Sequence, residues 1–257
     1  MFKTLALALA LAPLAAHATE CRFEAPRNAS FDLAGVRTIV VEVGHHDVHL
    51  EGSAGATAAQ VRGRACASSQ ERLAPLQLAQ RREGDRLVVS ASDDHGANHF
   101  SFFGISSYAY LELHLTVPAG IAVEMDVGSG DAHVANVASL KSEVGSGDLD
   151  VKGVRGAFEA KVHSGDIRAE DVGTTHVASV GSGDFSVDRV RGNIAIDSIG
   201  SGDANLRAIG GSVEVGSVGS GDLHVNGVAR DLHVAHVGSG DVEHVAVAGK
   251  VNVPKDD

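Results

Sequence analysis

The sequence predicts an all-β fold, a single-stack parallel β-helix or β-solenoid with coils of 17–19 residues and a β-rich N-terminal cap. Three observations lead there. A tetrapeptide recurs along the C-terminal half, Gly-Ser-Gly-Asp in six copies and His163-Ser164-Gly165-Asp166 in the third, closing at Asp131, Asp148, Asp166, Asp184, Asp203, Asp222 and Asp241, with separations of 17, 18, 18, 19, 19 and 19 residues. The residue before each copy is Val or Ile, and the positions one, three and six after each Asp are apolar, broken only at His244. A second apolar pair follows in the later coils, as at Ile194/Ile196, Val213/Val215, Leu232/Val234 and Val251/Val253. Self-similarity at a nearly fixed short period marks a solenoid, in which each unit buries its apolar face against its neighbours. Alternation with period two makes the units strands, and glycine and β-branched residues disfavour helices.

The elements of one coil follow in order. Each motif is turn chemistry: glycine permits positive φ and close backbone approach, while Ser and Asp side chains bond nearby amides. Next comes an apolar-polar-apolar strand, whose polar position holds His133, Asp150, Arg168, Ser186, Asn205, His224 and Glu243 in successive coils. The second strand leads to the next Val or Ile. The growth from 17 to 19 residues is placed just before that residue, at pairs such as Asp197-Ser198, Gly216-Ser217 and Ala235-His236, where a corner or bulge absorbs it. Stacked coils put equivalent carboxylates about 4.8 Å apart, so the Asp column must be solvated, bonded to turn amides or bridged by cations. Amide bonding is the expectation. Calcium is the alternative, but Gly-rich calcium-binding β-rolls have a nine-residue pattern with the Asp placed differently.

The N-terminal half is less regular. Residues 1–18, MFKTLALALALAPLAAHA, have a basic start, an apolar run and a small-x-small end, and are expected to be a secretory signal peptide. Export to the periplasm, cell surface or medium follows, and no later segment is long and apolar enough to span a membrane as a helix. Cys21 and Cys66 are the only cysteines, so an oxidising compartment pairs them in a disulfide tying the mature N-terminus to the body. Residues 19–120 are expected to form a β-rich cap or irregular first coils, and residues 121–257 the repeat solenoid. Within the former, VGHHDVHL at Val43–Leu50 matches VGSGDLHV at Val218–Val225 as a degenerate eighth copy. Strands are expected at 59–65, 76–80, 87–91 and 108–117, with a helical turn or loop at 68–74.

Composition narrows the function. The formal charge is −12, or −13 without Lys3 of the leader, which argues against a nucleic-acid partner. Phe100, Phe102, Phe103, Tyr108 and Tyr110 gather half of the ten aromatic residues into eleven positions, either plugging the end of the stack or forming an interaction patch. Asp94, His95 and His99 lie in the same loop. His45, His46 and Asp47 are the candidate metal ligands, opposed by the alternation of strand residues between faces. Hydrolase signatures are absent; a glycan-active β-helix enzyme is the alternative class, with Asp148, Asp150 and Asp166 as its candidate residues. A motif used seven times is architecture rather than a catalytic centre.

The VEVGHHDVHLEG opening, the strand ending Leu115-Thr116-Val117-Pro118 and the array of SGD coils together resemble the bacterial putative-adhesin domain family, similar in character to head GIN domain proteins. The resemblance runs from about Val36 to the C-terminus. It implies a β-solenoid, export or envelope association, and no catalytic residues. Here His45-His46 replace the Ser-Gly of the motif. The expected function is that of an exported, non-enzymatic, adhesin-like interaction or structural module of the cell envelope. Its partner would be an envelope or surface protein or a glycan, and it would need no cofactor.

Overall fold

The structure is a computed structural model, described over residues 21–92 and 108–254. The alternation read from the repeats builds two parallel sheets around one apolar core. The N-terminal elements are β1 (Phe23–Pro26), β2 (Ala29–Phe31), β3 (Thr38–Gly44), β4 (Asp47–Ser53), β5 (Ala59–Ala67), α1 (Gln70–Leu73), β6 (Gln77–Glu83), β7 (Arg86–Ser92) and β8 (Ala109–Pro118). The coils then supply strands in pairs: β9 (Ala122–Val127) and β10 (Ala132–Ala135), β11 (Ser139–Val144) and β12 (Asp148–Lys152), β13 (Phe158–Val162) and β14 (Asp166–Val172). They continue as β15 (Thr175–Val180) and β16 (Phe185–Val190), β17 (Ile194–Ile199) and β18 (Ala204–Ile209), and β19 (Val213–Val218) and β20 (Leu223–Val228). Last come β21 (Leu232–Val237) and β22 (Val242–Val247), then β23 (Val251–Asn252).

Spatial order departs from chain order at one end. The first sheet runs β1-β5-β8-β4-β10-β12 and onward to β22, with β2 also on β5; the second runs β6-β7-β3-β9-β11 and onward to β23. The coil made by β3 and β4 thus lies between the β7/β8 level and the β9/β10 coil. The chain leaves after β4, builds the closed end from β5 to β8, and returns to stack β9 on β3. That end is shut by antiparallel strands, β5 on β8 and β6 on β7, so the parallel stack does not end in a bare edge. The N-terminal half is therefore both a first coil of the same architecture and its cap. The degenerate copy is a true coil: Val48, His49 and Leu50 stand in register with Ala132, His133 and Val134.

Inward columns carry the core. In one coil Ala204, Leu206 and Ile209 face Ile194, Ile196 and Ile199 across it, and all six are buried. Phe158 and Phe185 are its largest fully buried side chains, with ring centroids 6.4 Å apart. Full burial of such a side chain contributes about 1.5–3 kcal/mol.

The apolar residue six after each Asp has a backbone cause. Five after each repeat Asp the chain is left-handed, at Asn136, Gly153, Asp171, Arg189, Ala208, Gly227 and Ala246, with φ between 53° and 80°. This residue interrupts the alternation, so the next one turns inward again.

The motif glycines serve close approach rather than positive φ. None of them is left-handed. A Cβ on Gly202 would overlap the carbonyl oxygen of Gly183, the equivalent residue one coil earlier, and the same holds at Gly165, Gly183, Gly221 and Gly240. The corner is itself a ladder, in which the Gly200 carbonyl accepts from Ser220 N at 2.8 Å and Gly221 N at 3.0 Å.

Length growth is split between two places. One added residue is a bulge in the second strand, where pairing slips between Ala160 and Lys161 against β15, near the expected position. The other lengthens the opposite corner: three residues separate Val137 from Leu140 in sequence number, and four separate Val190 from Ile194.

The far end is open. Val251, in register with the inward Leu232, is 43 % exposed because β23 has no coil beyond it among the described residues, and on β22 His244 replaces an inward apolar residue. Val245, 65 % exposed, stands at an outward position, four after Asp241.

Candidate binding face

The Asp column forms a continuous hydrogen-bonded ladder. Asp47 Oδ1 accepts from the Asp131 amide at 3.2 Å, Asp131 from Asp148 at 3.3 Å, Asp148 from Asp166 at 3.3 Å and Asp166 from Asp184 at 3.0 Å. Asp184, Asp203 and Asp222 continue it to the amides of Asp203, Asp222 and Asp241 at 3.1, 2.9 and 2.9 Å. Each carboxylate thus bonds the next coil's backbone rather than its own turn, and the seven repeat Asp residues, with Asp47, form one structural seam. Among the described residues no group of three or more His, Cys, Asp or Glu is disposed to hold a metal ion.

His45, His46 and Asp47 occupy the corner between β3 and β4. His46 is buried and its Nδ1 accepts from Leu111 N at 3.2 Å, which makes Nδ1 the unprotonated nitrogen. The His45 Nε2 lies 3.3 Å from the Ala109 carbonyl oxygen. The corner's imidazoles therefore lean on β8, while Asp47 enters the ladder.

Next to this corner is an arrangement that spans three distant stretches of sequence. His114 on β8, His49 on β4 and His133 on β10 are in register and stack, with centroids 4.9 and 4.5 Å apart and rings 11° from parallel. Burial lowers the pKa of His49, and His133 and His114 lower it further, against the pull of Asp47 and Glu112. His133 Nδ1 lies 3.2 Å from Asp150 Oδ2, which continues the column.

His49 and His133 begin a groove of about 690 Å³ along the outer face of the first sheet, which runs on to Asn205 and Arg207. Its walls are the outward positions two and four after each Asp. The first wall is the polar column read from the sequence. The second, with Lys152, Glu170, Asp188 and Arg207, could have been found by carrying the alignment two residues further. Most of its charges are paired, as in Lys152 with Glu170 at 3.5 Å and Arg168 with Asp166 at 2.9 Å and Asp148 at 3.7 Å. Arg189 meets both Glu170 and Asp188. Asp148, Asp150 and Asp166 are thus neighbours on this face, each engaged with a basic side chain.

The second sheet carries an acidic column, Glu42, Asp126 and Glu143, ending at Lys161. Burial, then Glu143 and Glu42, push the Asp126 carboxyl up. Hydrogen bonds from His163 and Lys161 hold Glu143 below the ordinary carboxylate range.

Cys21 and Cys66 are joined, with Cα atoms 5.5 Å apart. Tyr110 lies against this bridge, its hydroxyl 4.0 Å from Cys21 Sγ, and the Tyr108 hydroxyl accepts from Arg22 N at 3.1 Å. Both tyrosines therefore pack at the closed end. Phe100, Phe102 and Phe103, with Asp94, His95 and His99, fall outside the described residues, as does the expected signal peptide. No helix among the described residues is long and apolar enough to cross a membrane.

Comparison with known proteins follows the fold. No curated protein matches the chain. Among solved structures, a putative adhesin from Parabacteroides distasonis ATCC 8503 is similar at 14 % identity over 89 % of this chain and 97 % of that one, with a TM-score of 0.45. A putative adhesin from Bacteroides fragilis NCTC 9343 is 14 % identical over the same shares, with a TM-score of 0.37. A putative lipid binding protein from Parabacteroides distasonis ATCC 8503 is 16 % identical over 88 % and 96 %, with a TM-score of 0.39. The model of the Toastrack DUF4097 family matches residues 36–253. On that match, which takes in the first coil, strands β5 to β8 and every SGD repeat, the chain belongs to the Toastrack DUF4097 family.

Proposed function

We propose that the protein is an exported, non-enzymatic, adhesin-like interaction module of the cell envelope, and that its partner docks on the outer face of the first sheet. The observation that carries this is the division of labour within each coil. The repeated Asp and Gly residues are consumed by the ladder and the close backbone stacking, whereas the outward columns change identity from coil to coil along one groove. A rigid lattice presenting variable side chains is suited to recognition, and its rigidity lowers the ordering cost of binding. The composition of the first residues supports export, and the joined cysteines fit an oxidising compartment.

The test is co-sedimentation of purified mature protein with isolated cell envelopes. Wild type is expected to pellet with the envelope, and Ser186→Trp, which fills the groove, to remain in the supernatant with an unchanged β-sheet circular dichroism spectrum. Equal pelleting of the two would place the partner elsewhere on the molecule.

A further inference from the structure

The shape and chemistry of the groove say what kind of chain fits it. It crosses six strands, β4, β10, β12, β14, β16 and β18, so its length is five strand spacings, about 24 Å. Spread over that length, about 690 Å³ is a narrow channel, the space of a linear chain rather than of a compact small molecule. The channel runs across the strands. Each strand beneath it already pairs on both sides, so no main-chain donors or acceptors remain for an extended peptide, which adds at sheet edges. Recognition must come from side chains: two imidazoles at the His49 and His133 end, then hydroxyl, amide, carboxylate, ammonium and guanidinium groups along the walls, over a shallow aliphatic floor of residues such as Leu50, Val134 and Val151. A chain of hydroxyl-bearing units meets them best.

One end is chemically distinct. Arg207 on β18 is exposed and, among the described residues, has no carboxylate within 4.0 Å. Its register neighbour Asp188 is instead engaged by Arg189 Nη1 at 3.0 Å. Asn205, on the same face of β18, and Ser186, its neighbour on β16, line the same stretch of groove. A guanidinium fork beside an amide and a hydroxyl is a donor set for one carboxylate. Elsewhere the channel's cations are already engaged, Lys152 by Glu170 and Arg168 by Asp148 and Asp166, while Glu51 and Asp150 add negative charge. With the strongly acidic chain around it, the channel repels a polymer charged at every unit.

We infer that this groove binds a linear glycan in which an acidic sugar is interspersed among neutral ones, its carboxylate seated on Arg207, Asn205 and Ser186. This deepens the reading of the same face as the interaction surface and rests on it.

The experiment is retention of the full mature chain on immobilised linear oligosaccharides: a neutral set, a set with alternating uronic acid and neutral units, and the latter with carboxyls reduced to alcohols. The alternating set is expected to retain the protein. Carboxyl reduction or Arg207→Gln should weaken retention roughly tenfold or more, the order expected of a charge-assisted bond, Ser186→Trp should abolish it, and Arg230→Gln, away from the groove, should leave it unchanged. Retention by none of the uronate oligosaccharides, equal retention after carboxyl reduction, or an unaltered Arg207→Gln each overturns the inference. If wild type still pellets with envelopes while failing on every uronate, the glycan assignment falls and the interaction module stands. If it binds neither, both fall.

Discussion

The carboxylate of Asp203 accepts a hydrogen bond from the backbone amide of Asp222, one coil later, at 2.9 Å. It is one step of a seam joining eight coils from Asp47 to Asp241. Asp203→Ala should therefore lower stability by about 1–2 kcal/mol, because the amide loses a charged acceptor. Asp203→Asn keeps an acceptor oxygen and relieves repulsion between stacked carboxylates, so it should cost less. Urea denaturation followed by circular dichroism compares the two; equal losses would remove the ladder's role.

The same bonds bear on calcium. An oxygen of every ladder carboxylate from Asp47 to Asp222 is already held by an amide, so chelator is expected to leave the melting midpoint unchanged. A ligand bound only by the folded state would raise it, and a drop on adding chelator would show that cations bridge the column.

Glycine at the corner is a packing requirement. Gly202→Ala would drive its Cβ into the Gly183 carbonyl and should cost about 3 kcal/mol or more, since backbone must move on both coils. Gly120→Ala meets nothing within 4 Å and should be nearly neutral. Chemical denaturation of the pair separates close approach from a general glycine effect.

Left-handed residues point the other way. Ala208 holds φ 53°, a region that disfavours a Cβ, so Ala208→Gly should stabilise by about 0.5–1 kcal/mol. Gly227 holds the equivalent position at φ 80°, and Gly227→Ala should destabilise by a similar amount. Thermal melts of both variants check the sign.

His49 makes stability depend on pH. Its folded pKa lies below the ordinary value of 6.5, through burial and the imidazoles of His133 and His114. The unfolded chain therefore takes up the proton more readily, so stability is full above 6.5 and is lost as pH falls from there toward the lowered folded pKa. His49→Gln should reduce the difference in urea midpoint between about pH 7.5 and about pH 5.5, a window below which the carboxylates begin to titrate. An unchanged difference would place the acid sensitivity elsewhere.

Much of this was legible in the sequence because a repeat prints the same physical constraint several times over. Seven aligned copies exposed the buried columns, and the same alignment reached back to Val43–Leu50, whose Asp47 starts the ladder. Cys21 and Cys66 had only each other. What escaped depended on contacts that no local pattern records. Nothing near β3 says that β7 will stack on one side of it and β9 on the other. His114 joins His49 and His133 only through that exchange of order. The left-handed position was half visible, since Asn136, Gly153, Asp171 and Gly227 are residue types that tolerate it, but Arg189 and Ala208 masked the pattern. Arg207 stood out only once its neighbour Asp188 proved to be engaged by Arg189.

Every bond of the ladder runs to the coil just before or just after, and none measures how many coils there are. The stack therefore behaves as a graduated ruler whose length is free of its chemistry. Duplicating one 19-residue unit between Gly219 and Gly238 would add about 4.8 Å to the body. It would also add one more outward pair of side chains to the face. Reach and specificity can thus change by whole coils, without redesign of any coil already present.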